Sequence, residues 1–503
     1  MSFDRSEETL QLMERIFSHP SLNNLNRSEI LANYYEPFVG EGNSDSGGKK
    51  LGSDFTISSI PPEGLIITES GSYKFTKNIK WSPKASATAI TIQASNVILN
   101  MKNYDLICNN PYNYKVFGIV ALDNQNIEIK NGKVNNFNYR GIRVNTCNNI
   151  IIDNMSVCEI TWSTTGTPSS NTPVGIILNN CESCVINKCV IRNINVKTDV
   201  ASGILIVGSK DVNVKNCQVK DCINKDGAFE SFGVVSSEKI KTVGCKAENI
   251  RTTYISNTPS TGHGAVGFVC TLSTDLYYEN CSAINLRGSC DDATGLLVFI
   301  SVTDIIIKKF YAENITAGVI TNGCQKASGV EIYGSDVKVT DSVVKNVVAV
   351  SPQDDQASGF SCAIGPDVKF IRCKAENISV VDQYGNANSV LGFGTGFGWA
   401  PDPRQSFSVP IVDAYYDDCF AKNCQVGFDT WYHINSKWKN ITACNCAIGF
   451  YNFLKSQRTI ACSECAGCEL GVTVTLTNLA KNNEFINVKS YYKEDPLCKI
   501  CKK

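Results

Sequence analysis

A glycine returns along this chain most often every 22 to 34 residues, each time at the head of a short β-branched run. In Ala201-Ser202-Gly203-Ile204-Leu205-Ile206 the anchor Gly203 opens a strand. An Asx turn follows near Asp211, a second strand carries Val212 and Val214, and Cys217 and Asp221-Cys222 close the unit. Equivalent anchors are Gly118, Gly141, Gly175, Gly233, Gly267, Gly295, Gly329 and Gly359, then Gly427, Gly449 and Gly471, with Ala89 opening an earlier copy. The shortest intervals are 22 residues (Gly427 to Gly449) and 23 (Gly118 to Gly141), and longer ones carry an insertion just before the anchor. Self-similarity at this period means stacked units that share one core, which a chain of separate globular domains would not show.

Eighteen residues after the anchor stand Asn136, Asn193, Asp221, Asn285 and Asn377, with Asn249, Asn314 and Asn346 equivalent after slips of one or two residues. The next residue is apolar: Phe137, Ile194, Cys222, Leu286, Ile378. An Asx residue tolerates a left-handed turn and can hydrogen-bond to its copies above and below, while the apolar neighbour points inward. This grammar resembles the right-handed parallel β-helix superfamily, the fold of pectate lyases, polygalacturonases and phage tailspikes, over roughly residues 60 to 490. The resemblance implies an all-β solenoid of about fourteen coils, on the order of 65 Å long at about 4.8 Å per rung.

The expected organisation has four parts. Leu10, Met13, Ile16 and Phe17 fall at helical spacing, and Ser28-Glu29-Ile30-Leu31 can start a second short helix, so residues 1–40 read as a helical arm. Residues 41–55 are a Gly/Ser-rich linker, 56–497 the β-helix, and 498–503 a tail. With 43% hydrophobic and 19% charged residues the chain is of folded composition. Its 47 Lys+Arg against 48 Asp+Glu give a net charge of -1, which argues against a nucleic-acid or anionic-membrane partner. No apolar run reaches the length of a membrane span, and the acidic, amphipathic start MSFDRSEETLQLMERIF is not a secretory leader, so synthesis in the cytoplasm is expected.

Twenty-four cysteines pull two ways in such a chain, towards a secreted disulfide scaffold or towards reduced thiols. Their spacing favours ladders. Cys189, Cys217, Cys281 and Cys373 lie fourteen residues after their anchors, with Cys245 equivalent after a slip; Cys424, Cys446 and Cys468 lie three before, and Cys290, Cys324 and Cys444 five before. Dry columns of buried thiols are expected, with disulfides between stacked rungs as the alternative. A metal reading attaches to Cys462-x-x-Cys465-x-x-Cys468, Cys181-x-x-Cys184 and Cys498-x-x-Cys501, the last pair lying beyond the final coil. No fourth ligand follows at a known spacing, so neither a metal nor another cofactor is expected.

The resemblance also raises an enzyme. Polygalacturonase-type hydrolases carry Gly-His-Gly, Asp-Asp, Asn-Thr-Asp and Arg-Ile-Lys. Here Gly262-His263-Gly264 precedes Asp291-Asp292 where the family has the reverse order, and the other two strings are missing. His263 and Asp291 each stand four residues before an anchor, which puts them on adjacent coils with Asp292 beside them, and a His between carboxylates can transfer protons. The alternative is that polar insertion loops collect such residues because they are solvated. Among the aromatics between Tyr384 and Phe453, Trp399, Trp431, Tyr432 and Trp438 are candidates for stacking on sugar faces, core filling being the alternative. Sequons mark Asn26, Asn154, Asn280 and Asn440 as glycosylation candidates, whereas those at Asn314 and Asn377 fall on ladder residues.

Asn-, Ile- and Lys-rich β-helix proteins with many cysteines are similar in style to those of large DNA viruses of amoebae. That likeness implies a structural or surface protein, fibre- or spike-like, displayed on a viral particle as a homo-oligomer or with particle components, and able to bind or carry glycans. A polysaccharide-active enzyme, glycoside hydrolase or lyase, with its site near His263, is the alternative.

Overall fold

The structure, a computed structural model, describes residues 54–109, 115–163, 172–253, 264–289, 292–299, 301–318, 326–350, 356–362, 366–382, 384, 394–398, 411–430, 433–446, 448–451 and 484–491. Among them every element is a strand and the architecture is a parallel β-helix. A 14-stranded sheet receives one strand per coil and a 28-stranded sheet takes the rest, with a two-stranded pair beside them. The fourteen rungs run from Leu65–Ile67 through Val174–Asn179 and Ala265–Thr271 to Ile448–Tyr451. The first strand, Asp54–Ile57, already includes the last two residues of the expected linker, and the expected arm lies outside the described residues.

The larger sheet is built on a five-residue beat. From Asn126 onward, coil after coil places three residues five apart in left-handed backbone: Asp211, Asn216 and Asp221 (φ 53°, 53° and 55°), Asp275, Asn280 and Asn285 (55°, 52° and 58°), Asn435, Asn440 and Asn445 (51° each). Asn and Asp bear this conformation better than other side chains, which is why the chain is rich in them. The first and third residues after each turn point inward. Val212, Val214, Cys217, Val219 and Cys222 are at most 2% exposed, while the residues between them face outward.

Because every coil keeps this beat, the turns stack into columns. The expected Asn column is present: Nδ2 of Asn249 donates to Oδ1 of Asp221, and the series continues through Asn285, Asn314, Asn346, Asn377, Asn423 and Asn445, seven bonds of 2.6–3.1 Å. Asn193 shares the column, since Arg192 pairs with Lys220 and the Asn193 amide donates to the Lys220 carbonyl.

The glycines form a second column, with one correction to the expected anchors. Gly203 lies opposite Ser231, and Gly233 lies opposite Leu205 and Val269, so Ser231 and not Gly233 holds the anchor position of its coil. Counted from Ser231, Cys245 is fourteen residues on and Asn249 eighteen, so their slips vanish. Gly396 also belongs to the column, between Gly359 and Gly427, whereas Gly471 lies outside the described residues. Steric pressure selects glycine here. A Cβ at Gly295 would sit 2.4 Å from the carbonyl oxygen of Gly329 and 3.0 Å from Cβ of Ala312. The rung above and the opposite wall both come too close for a side chain.

The cysteines obey the same beat. Cys147, Cys181, Cys184, Cys189, Cys217, Cys222, Cys245, Cys281, Cys373, Cys419, Cys424 and Cys446 each follow a left-handed residue or its glycine equivalent, point inward, and donate from Sγ to the carbonyl two residues back. Ser209, Ser237, Ser273, Ser342 and Ser436 do the same in other coils. The position asks for a small inward side chain with one donor, and a thiol meets it with less desolvation than a hydroxyl. Burial pushes the thiols of Cys147, Cys222, Cys270 and Cys362 up to about 12. Cys444 departs from the column reading: it is disulfide-bonded.

Two outcomes follow from this packing. Gly295→Ala should lower stability by about 2 kcal/mol or more, because the clash is with backbone, as in overpacked cores. Gly233→Ala, facing only the tips of Leu205 and Glu230, should cost less than about 1 kcal/mol. Urea melts of both variants test the column; equal losses would contradict it. Separately, Cys189, Cys217, Cys245 and Cys281, each at most 1% exposed, should resist alkylation in the native state and react once the protein is unfolded, as read by peptide mass spectrometry.

Candidate functional site

Of the residues expected to form a site, His263 and Asp291 lie outside the described residues, and Asp292 is placed. Asp292 is half-buried at the start of the rung Ala293–Val298, where its carbonyl accepts from the Ala265 amide at 3.0 Å. Its Oδ1 accepts from the backbone N–H of Lys326 on the next coil at 2.7 Å. That carboxylate therefore caps the strand Lys326–Ile332.

Lys326 leads to a charged group that motif and spacing do not reveal. Val330 and Ile332 belong to the main core, so strand alternation turns Glu331 to the outer face of the 14-stranded sheet. There Val266, Val269 and Leu297 form a separate apolar cluster with Phe299 and Tyr333 against it, and Glu331 is buried to 4% exposure. Its carboxylate accepts from Nζ of Lys326 and from the Tyr333 hydroxyl, while Nζ lies 3.4 Å from that hydroxyl and 5.6 Å from the ring centroid. Burial works against the Lys326 ammonium, but the Glu331 carboxylate outweighs it and holds the lysine above its usual range. Burial, then Glu331, also pushes the Tyr333 phenol up.

Chemically this is a closed arrangement: a carboxylate with two donors committed to it, both held protonated. The sign of the pH dependence follows. Lysine and tyrosine pKa values raised by folding contribute stability that is complete at neutral pH and is lost only as pH climbs past the unfolded values, about 10. Removing one partner strands a buried charge, so Lys326→Met should cost about 3–5 kcal/mol in an equilibrium melt. The double change Lys326→Met/Glu331→Leu should recover most of it; no recovery would mean that the pair does not act as a unit.

The expected sugar-stacking rings need a correction at Trp438. It is fully buried, stacked on Tyr416 at 3.8 Å with an interplanar angle of 1°, and edge-on to Phe428 at 6.2 Å. It fills the core and presents no face to a ligand. Trp399, Trp431 and Tyr432 lie outside the described residues.

Among the sequons, Asn26 is likewise outside. Asn154 and Asn440 sit in a further ladder column, donating to Asn131 and Asp417 at 2.9 Å each, and Asn440 also accepts from Asn487. Asn280 is exposed in the same column, between Gly244 and Lys309, where neither neighbour offers an amide. It is the described candidate whose modification would break no ladder bond.

Cys181 and Cys184 direct their thiols to the carbonyls of Asn179 and Glu182. No group of three or more His, Cys, Asp or Glu side chains placed to hold a metal ion occurs among the described residues. Cys462, Cys465, Cys468, Cys498 and Cys501 are outside them.

No family model matches the chain, and no curated protein matches it. The parallel β-helix fold resembles that of several solved structures. A tailspike protein mutant of E. coli bacteriophage HK620 in complex with pentasaccharide is 12% identical with a TM-score of 0.44, over 84% of this chain and 74% of that one. The catalytic domain of GH87 alpha-1,3-glucanase in complex with tetrasaccharides is 13% identical at TM-score 0.38, over 78% of this chain and 64% of that one. The A-module of Azotobacter vinelandii mannuronan C-5 epimerase is 10% identical at TM-score 0.32, over 88% and 89%. At these values the likeness is one of fold.

Proposed function

We propose that the protein is a structural rod, a surface component of a viral particle that binds or carries glycans and assembles with copies of itself or with other particle components. The observation that supports this reading is the unbroken Asn column, whose seven bonds link eight successive coils. Such a column ties each coil to the next and stiffens the body along its length, which suits a load-bearing part. The Lys326–Glu331–Tyr333 group commits its buried carboxylate to two donors, a state that suits stability better than turnover.

A polysaccharide-active enzyme is the second reading, favoured by one observation: Asp292, Lys326 and Glu331 come from adjacent rungs of one face. The two readings part on a broad glycan panel incubated with the purified protein. A rod should retain some glycans and leave every one unchanged in mass. Turnover that falls at least about a hundredfold in Glu331→Gln, or in His263→Ala or Asp291→Ala, would establish the enzyme instead.

A further inference from the structure

We infer that Asn280 is the position at which the rod carries a covalent glycan, joined through the side-chain nitrogen of the asparagine. This rests on the glycan-carrying part of the proposed function and fixes both the position and the bond.

The described residues contain five Asn-x-Ser/Thr sequences, which begin at Asn154, Asn280, Asn314, Asn377 and Asn440. All five asparagines adopt left-handed backbone, with φ between 51° and 58°. Four of them are tied into a column through Nδ2, the atom to which the sugar would be joined. Asn154 donates to Asn131, Asn314 to Asn285, Asn377 to Asn346 and Asn440 to Asp417, at 2.8–2.9 Å. Asn314, Asn377 and Asn440 also accept, from Asn346, Asn423 and Asn487. A sugar on any of these nitrogens would have to stand between coils about 4.8 Å apart, in the slot that the neighbouring amide or carboxylate already fills. A chain modified there before folding could not close the column, so the folded protein is bare at these four.

Asn280 differs in each respect. It is exposed, and its side chain makes no hydrogen bond. Strand pairing places Gly244 beside it on the preceding coil and Lys309 on the next. Gly244 takes the left-handed turn at φ 65° and has no side chain to fill the slot, while Lys309 is exposed on a long, flexible stem that can swing aside. The third residue of the sequence is also uncommitted. Ser282 is half-buried on the outward side of its strand, between Lys246 and Tyr311, and its hydroxyl makes no hydrogen bond, whereas Ser156 beside Asn154 is held to Cys158 at 3.1 Å. Cys281 between them points inward at 1% exposure and anchors the turn. The amide and the hydroxyl that define the sequence therefore both face outward from a fixed backbone.

The chemistry is a glycosyl transfer from a phosphate-activated sugar. Nδ2 forms a bond to the anomeric carbon, the bond from that carbon to the donor's phosphate oxygen breaks with its electron pair leaving on the phosphate, and the amide gives up one proton. The remaining N–H and the carbonyl are unchanged, and no ladder bond is lost.

The experiment is peptide mapping by mass spectrometry of the folded full chain isolated from the cells that make it, with glycans released enzymatically in heavy-oxygen water, which marks each asparagine that carried one. The mark should fall on Asn280 and be missing from Asn154, Asn314, Asn377 and Asn440. Asn280→Gln should remove it and melt with the parent stripped of its glycan, because no ladder bond is broken. An Asn280→Gln protein that melts several degrees below the stripped parent would mean that the amide is engaged in the fold, and would overturn the inference. A glycan found with Asn280 bare, whether on Asn26, on a ladder asparagine or on another type of residue, would overturn it too and leave the glycan-carrying reading standing. Folded protein with no glycan at all would overturn both.

Discussion

Everything in this molecule depends on a residue that can sit in a left-handed turn and hydrogen-bond to its own copy one rung away. The backbone asks for positive φ at three points five residues apart in each coil, and the stacking asks that the same side chain carry both an N–H donor and a carbonyl acceptor. Asparagine meets both demands, and aspartate meets the second as an acceptor, as Asp221 does beneath Asn249. Where Lys188, Lys309 or Arg372 occupies a turn, the geometry survives at φ 51–54°. There the amide link is absent, and the Arg372–Asp341 ion pair spans the gap in its place.

The turn dictates what can follow it. An inward residue just after a left-handed turn lies over the carbonyl two residues back, which already accepts a backbone N–H from the neighbouring coil, as that of Lys215 does from Lys188 and that of Val235 from Gly208, so a small side chain with one further donor is favoured. Cysteine and serine fill that position, both fully buried. This accounts for the free, buried thiols among the described residues, one after another repeating the same bond to the carbonyl two residues back. The glycine column is the counterpart on the other sheet, where the walls approach so closely that a Cβ has no room.

Much of this was legible in the residues alone. The glycine interval announces a solenoid, and the Asn column is countable by hand. The count failed at Gly233 because Ser231, the true anchor, differs in type, and a nearby glycine two residues on competed for the role. The five-residue beat is also present in plain text, as in Asp413, Asp418 and Asn423, but becomes visible only when turns and not glycines are aligned. The Lys326–Glu331–Tyr333 group was not legible. Five residues of extended chain would hold Lys326 and Glu331 about 16 Å apart, so their spacing in the sequence does not announce a contact. Trp438 failed because a run of aromatics in the sequence does not say which rings the neighbouring coils cover.

The most direct test of the account is a set of distances along one row. Lys220, Glu313, Lys345 and Lys422 share a row, and pairing carries it from Lys220 through three, four and six rungs respectively. Spin labels attached at Lys220 and at each of the others through a non-cysteine handle should report separations of about 14, 19 and 29 Å, growing by about 4.8 Å per rung whatever the number of intervening residues. Separations that do not rise in step with the rung count would contradict the stacked solenoid and everything built on it.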